Sequence, residues 1–232
     1  HINSGTHVGK ITYKPGGMMA ASQRFVINVK GKQAHGSTPW QSVDPIVASA
    51  QIINGLQTII SRESQLTKEG AVISVGSIHS GIRFNIIPES LEMIGTIRTL
   101  DRDMKELIRT RMEEMVPAIA KAFRAEATID IQDGADITFN NELLTKKMIP
   151  TLQRVAGEKN VIEIKAITGA EDFSYFQNEV PGLFFFLGGT PLSMKESEAP
   201  SHHTPSFEVD DAGMKLGVEA LSNLAVDYLK MN

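Results

Sequence analysis

Cysteine is absent from this sequence of 232 residues. Neither a disulfide framework nor thiol chemistry can therefore operate within it. The sequence also lacks any apolar run that approaches the ~20 residues of a membrane-spanning helix, and it carries no signal-peptide pattern. These absences exclude a disulfide-stapled or membrane-spanning class, and we expect a cytoplasmic protein.

Long basic runs are missing as well. Lysine and arginine number 23 against 27 aspartates and glutamates, which gives a formal net charge of −4. We therefore expect neither nucleic acid nor an anionic membrane as a partner. The apolar fraction of 41% and the charged fraction of 22% are those of an ordinary globular protein. The first residue is His1 rather than methionine, which predicts that the chain is a piece of a longer protein.

The hydrophobic pattern between Ala21 and Asp133 switches between the period of a strand and that of a helix. The order is strand, helix, strand, strand, helix, strand. That order is typical of the ferredoxin-like split arrangement, an α/β fold with an antiparallel sheet and both helices on one face. We assign residues 21–135 to this domain. The predicted strands are 23–30, 71–78, 91–99 and 127–131, and the predicted helices are 46–61 and 102–124.

Each predicted helix has one apolar stripe that we expect to be buried. Pro45 suits the first turn of the first helix, and Pro117 is expected to kink the second. The stripe of the first helix is Ile46, Val47, Ala50, Ile53, Leu56 and Ile60; that of the second is Met104, Leu107, Ile108, Met112, Met115, Ile119 and Ala122.

Residues 136–232 have the pattern of an α/β layer that is too small to stand alone. The apolar run 183–187 predicts a strand buried on both faces, ended by Gly188-Gly189. A polar loop, 190–200, follows, and a final helix capped by Asp210 or Asp211 runs to about residue 229. We also expect a helix at 143–155, a strand at 161–165, and burial of Leu216, Val218, Leu221, Leu224, Ala225 and Tyr228 in the final helix.

Six short motifs occur in one order along nearly the whole chain. They are His1-Ile2-Asn3 with Val8-Gly9, Lys32-Gln33-Ala34-His35-Gly36 with Asp44-Pro45, Asn85-Ile86-Ile87-Pro88, Gly95-Thr96-Ile97-Arg98, Gly169-Ala170-Glu171-Asp172-Phe173-Ser174 and His203-Thr204-Pro205. As a set they resemble the C-terminal half of the co-catalytic di-metal aminoacylase and carboxypeptidase family. The subgroup is that of hippurate hydrolases, auxin–amino acid hydrolases and N-acyl-amino-acid amidohydrolases. The set indicates the family and says little about the substrate.

The resemblance implies a ferredoxin-like lid inserted into an α/β metallopeptidase domain, and a homodimer formed through the lids. Residues 1–20 and 136–232 would be segments of the catalytic domain. Two zinc or manganese ions would activate a water that cleaves the amide bond of an N-acyl-amino acid or small peptide. The family's bridging carboxylate, general-base glutamate and cysteine–histidine ligand motif would lie upstream of His1, so we expect this chain alone to be inactive.

The resemblance implies that His203 and His1 are metal ligands. The alternatives are a polar loop histidine for His203 and a residue left by a tag or fragment boundary for His1. His202 is expected beside the site or exposed to solvent. His7 stands where the family usually has proline, and it receives no role.

The resemblance gives roles to four further residues. His35, between small neighbours, would donate a hydrogen bond to the oxyanion, in the active site of the other subunit. Asn85 and Arg98 would bind substrate, with Arg98 on its carboxylate, and Glu171 would lie near the metals or substrate. The alternative for His35 is a surface loop histidine, and that for Asn85 is a turn residue. The alternative for Arg98 is a strand-end salt bridge, and that for Glu171 is a carboxylate that complements a helix N-terminus.

Two other classes of function are compatible with the pattern. One is a non-catalytic dimerisation module that is stable through the ferredoxin-like domain alone. The other is an RNA-binding ferredoxin-like domain, which needs exposed aromatic residues on its central strands and positive charge. Strands 71–78 and 91–99 have no aromatic residue and the net charge is negative, so this class ranks last.

Overall fold

A computed structural model describes residues 1–231. The described chain forms two units: a first unit of residues 1–18, 138–167 and 173–231, and a ferredoxin-like unit of residues 19–137 and 168–172. The strands are β1 (Ile2–His7), β2 (Ile11–Tyr13), β3 (Gly16–Met19), β4 (Ala21–Lys30), β5 (Ala34–His35), β6 (Ala71–Ser80), β7 (Ile86–Ile87), β8 (Ser90–Thr99), β9 (Glu126–Asp133), β10 (Thr138–Asn140), β11 (Val161–Glu163) and β12 (Phe186–Thr190). The α-helices are α1 (Pro45–Thr58), α2 (Arg102–Ala122), α3 (Glu142–Ala156), α4 (Ser174–Glu179) and α5 (Met214–Met231).

The ferredoxin-like unit has the predicted order β4-α1-β6-β8-α2-β9. Its sheet has the spatial order β6-β8-β4-β9, and all three strand pairs are antiparallel. Alternate side chains of β4 point into one core, as their period of two predicted. That core includes Phe25, Ile27 and Val29 from β4 and the buried faces of both helices. Gly95 of β8 leaves room for Phe25, because a Cβ at Gly95 would lie 2.2 Å from the ring's Cζ. The predicted ferredoxin-like fold is confirmed.

Helix α1 confirms only part of the predicted stripe: Leu56 is buried, and Ile53 and Ile60 pack against the core. Asp44 caps it, accepting from the N–H groups of Ile46 and Val47, but those two side chains are each 48% exposed. The buried positions are Pro45, Ala48, Ser49, Ile52 and Leu56, and a π-helical turn, Ile59–Glu63, extends the helix. Small side chains at 48 and 49 let the helix approach the sheet closely, whereas our prediction favoured the larger apolar residues one position away.

Helix α2 runs without a break through Pro117, which lies on its exposed side. Met104, Ile108 and Met112 are buried as predicted. Toward the end of the helix the buried residues are Val116 and Ala120, and the predicted Ala122 is exposed. The buried residues recur every four positions along the 21-residue helix, so with 3.6 residues per turn the buried stripe winds slowly around the helix axis.

The first unit contains a four-stranded mixed sheet of order β1-β12-β2-β11 and a small sheet of β10 and β3. Strands β1 and β12 are parallel, β12 and β2 antiparallel, and β11 and β2 parallel. Helices α3 and α5 pack together, and Asp227 accepts hydrogen bonds from Thr151 and Arg154. The main apolar cluster of this unit contains the buried residues Ile11, Leu152, Phe185, Leu187 and Ala220. Met18, Met148, Phe184 and Phe186 are buried in the same unit.

The apolar run 183–187 was placed too early as a strand. Strand β12 starts at Phe186 and runs through Gly188 and Gly189, which we expected to end it. A Cβ at Gly188 would lie 2.0 Å from the carbonyl oxygen of His7. The glycine therefore permits close approach of β1 instead of marking a turn. Strand β11 also ends earlier than predicted, at Glu163.

Helix α5 buries Ala220 and partly buries Leu216 and Leu224. The predicted Val218 and Leu221 are 67% and 63% exposed, and Ala225 and Tyr228 are exposed as well. The helix has two apolar stripes, and periodicity alone cannot say which one a partner covers. Among the described residues, no helix is long and apolar enough to cross a membrane.

Candidate active site

Three histidines lie side by side in the first unit. The ring of His202 lies 5.7 Å from that of His1 and 6.3 Å from that of His203, measured between ring centroids. His202, His203, Thr204 and Phe207 line a shallow surface cavity. The structure therefore brings the two predicted metal ligands to one place, with His202 between them.

His1 is held by the aromatic end of the β12 region. Its carbonyl accepts from Leu187 N–H at 2.8 Å, and its main-chain nitrogen lies 3.1 Å from the carbonyl oxygen of Phe185. Its ring lies edge-on to Phe186, with centroids 6.0 Å apart. These contacts hold the backbone and the ring of His1 in place, so His1 packs as part of this unit.

His203 is exposed and has a φ of +61°. The left-handed region is uncommon for residues other than glycine and costs on the order of 1 kcal/mol or more. Such strain is concentrated at functional positions. The backbone conformation thus favours a functional role for His203 over that of an ordinary loop histidine.

The donor set beside these histidines fits a metal only in part. Imidazole nitrogens suit zinc or manganese, but a closed zinc site needs four ligands. Within residues 1–231, no group of three or more histidine, cysteine, aspartate or glutamate side chains is placed to hold a metal ion. His1 and His203 can therefore supply part of a site and not all of it.

His35 and Asn85 are brought together in the ferredoxin-like unit by the short ribbon of β5 and β7. His35 pairs with Ile86, and Gly36 N–H donates to the carbonyl of Asn85 at 2.8 Å. A Cβ at Gly36 would lie 3.2 Å from that oxygen, so a small residue suits this approach. Ser37 N–H donates to His35 Nδ1 at 3.1 Å, which leaves Nε2 to carry the proton in the neutral ring.

Arg98 lies near the far end of β8 in the four-stranded sheet. Strand β8 starts at Ser90, shortly after β7, and Arg98 is eight residues further along, a span of about 27 Å. Its neighbours across the sheet are Ser22 and Val72. Within residues 1–231 the half-buried guanidinium makes no ion pair. A strand-end salt bridge, the alternative we considered, is therefore not found in the described chain.

Glu171 also belongs to the ferredoxin-like unit, at the Arg98 end. Gly169 in the same segment accepts from Ala20 N–H, next to the start of β4. Glu171 Oε1 accepts from the N–H of Asp172 at 3.1 Å. Helix α4 begins at Ser174 and has no side-chain cap at Phe173. Glu171 thus bonds to the main chain of its own loop.

Part of this chain matches a known protein family. A family model described as a peptidase dimerisation domain, of the M20 family, matches residues 21–124. Those residues are therefore similar to the dimerisation domain of M20 peptidases. His35, Asn85 and Arg98 lie inside the matched range, and His1, Glu171 and His203 lie outside it.

The M20 relatives extend the similarity to nearly the whole chain. Thermostable carboxypeptidase 2 of Saccharolobus solfataricus is 35% identical over 98% of this chain and 57% of its own length. N-acetyl-L-cysteine deacetylase of Bacillus subtilis is 32% identical over 89% of this chain and 47% of its own length. The chain corresponds to the C-terminal part of such relatives and spans about half their length. The predicted family resemblance is confirmed.

A solved M20 structure shows the same fold. It is the YXEP protein of Bacillus subtilis, described as a dinuclear metal-binding peptidase. It has a TM-score of 0.78 and 26% identity, over 99% of this chain and 56% of that protein. The α/β architecture is therefore that of the M20 peptidases.

The sequence analysis missed the contacts that hold the loop before His203. Glu196 Oε1 accepts from the main-chain N–H of His7 at 2.8 Å and from the ammonium of Lys10 at 2.9 Å. His7 Nε2 lies 2.8 Å from the carbonyl of Met194. The Lys10 ammonium, and then the His7 N–H, lower the pKa of Glu196. These partners are almost 190 residues apart, and no local signal marks them.

Proposed function

We propose that this chain is part of a metal-dependent hydrolase that cleaves the amide bond of N-acyl-amino acids or small peptides. Relatives described as a carboxypeptidase and a deacetylase support the reaction class. The observation that carries the proposal is Arg98, a half-buried arginine without an ion-pair partner in the described chain. Substrates of both kinds of relative offer a carboxylate, which a guanidinium binds through two parallel hydrogen bonds.

His1 and His203 would hold metal in this proposal, with zinc or manganese as the candidates. The description of the YXEP protein as dinuclear supports two ions. Bound ions of this kind lower the pKa of a water molecule enough to make hydroxide available near neutral pH. Ligands beyond these two histidines would have to come from outside residues 1–231. The 232-residue chain alone should therefore be inactive.

His35 would stabilise the oxyanion through Nε2–H. Because Ser37 N–H occupies Nδ1, the neutral ring presents its proton on the other nitrogen. Removal of one such donor costs roughly 10²–10³ in rate. Asn85, attached through its own carbonyl to the same loop, would bind substrate beside His35.

A homodimer would bring His35 and Asn85 of one copy close to Arg98 and Glu171 of the other. The two edges of the ferredoxin-like sheet differ: β9 carries Glu126, Asp130 and Asp133, whereas β6 has no Asp, Glu, Lys or Arg. Charged edges resist pairing and uncharged ones invite it. Antiparallel pairing of β6 with β6 of a second copy about a two-fold axis sets Ala71 of one copy beside Ser80 of the other. The His35 and Asn85 end of one copy then lies alongside the Arg98 and Glu171 end of its partner, where Glu171 would contact substrate.

A chimera tests the proposal. The chain would replace the corresponding part of the Bacillus subtilis deacetylase, and hydrolysis of N-acetyl-amino acids would be assayed with zinc or manganese. We expect turnover, and for Arg98→Ala a loss of about 10²-fold in kcat/KM with carboxylate-bearing substrates. Arg24→Ala is the matched control, because Arg24 lies on the same face of the sheet and donates to Gln132.

Two results would contradict the proposal. Equal loss for an amidated and a free-carboxylate substrate would remove the carboxylate role of Arg98. A well-folded chimera without turnover would favour the second candidate function, a non-catalytic dimerisation module. The incomplete histidine set in the described residues is the observation that supports this alternative.

A further inference from the structure

His202 lies between the two candidate metal ligands, and its contacts separate its role from theirs. We infer that His202 is a positioning residue that fixes the loop before His203 onto β1 and does not itself bind metal. This inference rests on the proposed function for what is positioned, but the contacts of His202 are independent of it.

One ring nitrogen of His202 already accepts a hydrogen bond, and this bond determines the tautomer. Ser4 N–H donates to Nε2 at 3.2 Å, so the lone pair of Nε2 is in use. In the neutral ring the proton then resides on Nδ1. Metal binding requires a ring nitrogen with a free lone pair, and His202 in this arrangement offers none. Histidine type and proximity alone would have made it a third ligand; the hydrogen bond excludes that role.

Ser4 links His202 to the two parallel strands. It is buried in β1, and its Oγ donates to the carbonyl of Pro200 at 2.8 Å. Its own carbonyl accepts from Thr190 Oγ1, at the end of β12, at 2.6 Å. One residue of β1 therefore holds the loop at two points, Pro200 and His202, immediately before His203. This double attachment fixes the backbone that gives His203 its positive φ.

Packing restrains the ring of His202 on both sides. Phe207 lies 4.9 Å away between centroids, and the ring of His1 lies 5.7 Å away. A rotation that freed Nε2 would have to break the Ser4 hydrogen bond and move past Phe207. The ring thus sets the spacing between His1 and His203, as groups behind metal ligands commonly do.

The test uses nuclear magnetic resonance on the 232-residue chain without metal. Long-range proton–nitrogen spectra should show His202 as the Nδ1–H tautomer. Exchange of the Ser4 amide should be slow. Exchange should stay slow in His202→Gln, whose side-chain oxygen can replace Nε2 as acceptor, and should rise about tenfold or more in His202→Ala. The Val8 amide, which donates to Thr190, is the internal control and should not change.

Zinc is then titrated into the same samples. We expect the ring nitrogens of His1 and His203 to shift and those of His202 to keep their metal-free pattern. We also expect zinc affinity to fall roughly 10- to 100-fold in His202→Ala and to be largely restored in His202→Gln.

Three results would overturn the inference: the Nε2–H tautomer, unchanged Ser4 exchange in His202→Ala, or a direct zinc shift at His202 Nε2. A zinc titration that moves none of the three histidines would instead overturn the ligand roles in the proposed function. The tautomer and the Ser4 exchange rate would still decide whether His202 holds the loop, so the two failures are distinguishable.

Discussion

The two units of the chain bury their apolar surface to different extents. The ferredoxin-like unit has a continuous core that both helices and all four strands of its sheet share. The first unit has a smaller main apolar cluster and leaves one apolar stripe of α5 exposed, at Met214, Val218 and Leu221. Buried apolar area is the main source of stability. The ferredoxin-like unit therefore has the larger apolar core, although both units expose apolar side chains, such as Phe84 in the one and Val218 in the other.

The largest expected effect comes from the core of the ferredoxin-like unit. Phe25→Ala should destabilise the ferredoxin-like unit by about 3–5 kcal/mol, because the ring is fully buried against β8. Urea unfolding followed by circular dichroism would measure the loss. Phe84→Ala is the control, since Phe84 is fully exposed and should change little. If both variants behaved alike, the buried core would not be what distinguishes this unit.

A middle-sized effect is expected where β1 and β12 approach closely in the first unit. Gly188→Ala should cost about 2 kcal/mol or more, because the added Cβ would clash with the backbone of His7. Thermal unfolding should show a lowered transition for the first unit. Gly76→Ala is the control, in a strand of the other unit. Its added Cβ would lie 3.8 Å from its nearest neighbour, an ordinary van der Waals contact. An unchanged transition in Gly188→Ala would mean that this sheet is looser than its geometry indicates.

The smallest effect concerns Glu196, which ties the loop to β1. Its pKa in the folded state is lowered, first by Lys10 and then by His7 N–H. A lowered pKa means that the stabilisation is present at neutral pH and is lost as the pH falls through the folded value, below the usual 4.5. The carboxylate is partly exposed, so the gain is on the order of 0.5 kcal/mol.

Glu196→Gln should therefore be less stable than the wild type at pH 7, and the difference should narrow as the pH falls toward 3. Unfolding free energies between these two pH values would show this convergence. Glu198→Gln is the control in the same loop, because its carboxylate is more exposed and pairs only with Lys195. A constant difference at all pH values would show that charge is not what anchors the loop.

Local patterns predicted the ferredoxin-like unit well because its signals are local. The alternation of Phe25, Ile27 and Val29 and the cap Asp44 before Pro45 each act within a few residues. The buried faces of α1 and α5 were predicted only in part, because both helices carry apolar residues on more than one face and the choice between them depends on tertiary partners.

The candidate site shows the same limit. Motifs with a family resemblance pointed to His1, His35, Asn85, Arg98 and His203, and the structure places them in three separate groups. The contacts of His202 and Glu196 join positions that lie almost 200 residues apart. Residue spacing along the sequence does not reveal such pairs. Only the structure shows which contacts hold the loop that leads to His203.

The pairing of β1 with β12 has a consequence for how the protein is made. Ile2 lies beside Leu187, so β1 cannot pair with β12 until the residues between them have been synthesised. The ferredoxin-like unit is encoded almost entirely between them and can fold in the meantime. Folding of the first unit then requires contacts between residues that are far apart in the sequence, such as Ile2 and Leu187, and is expected to be the slow step. A pulse-labelling experiment should find β4 and β8 protected well before β1.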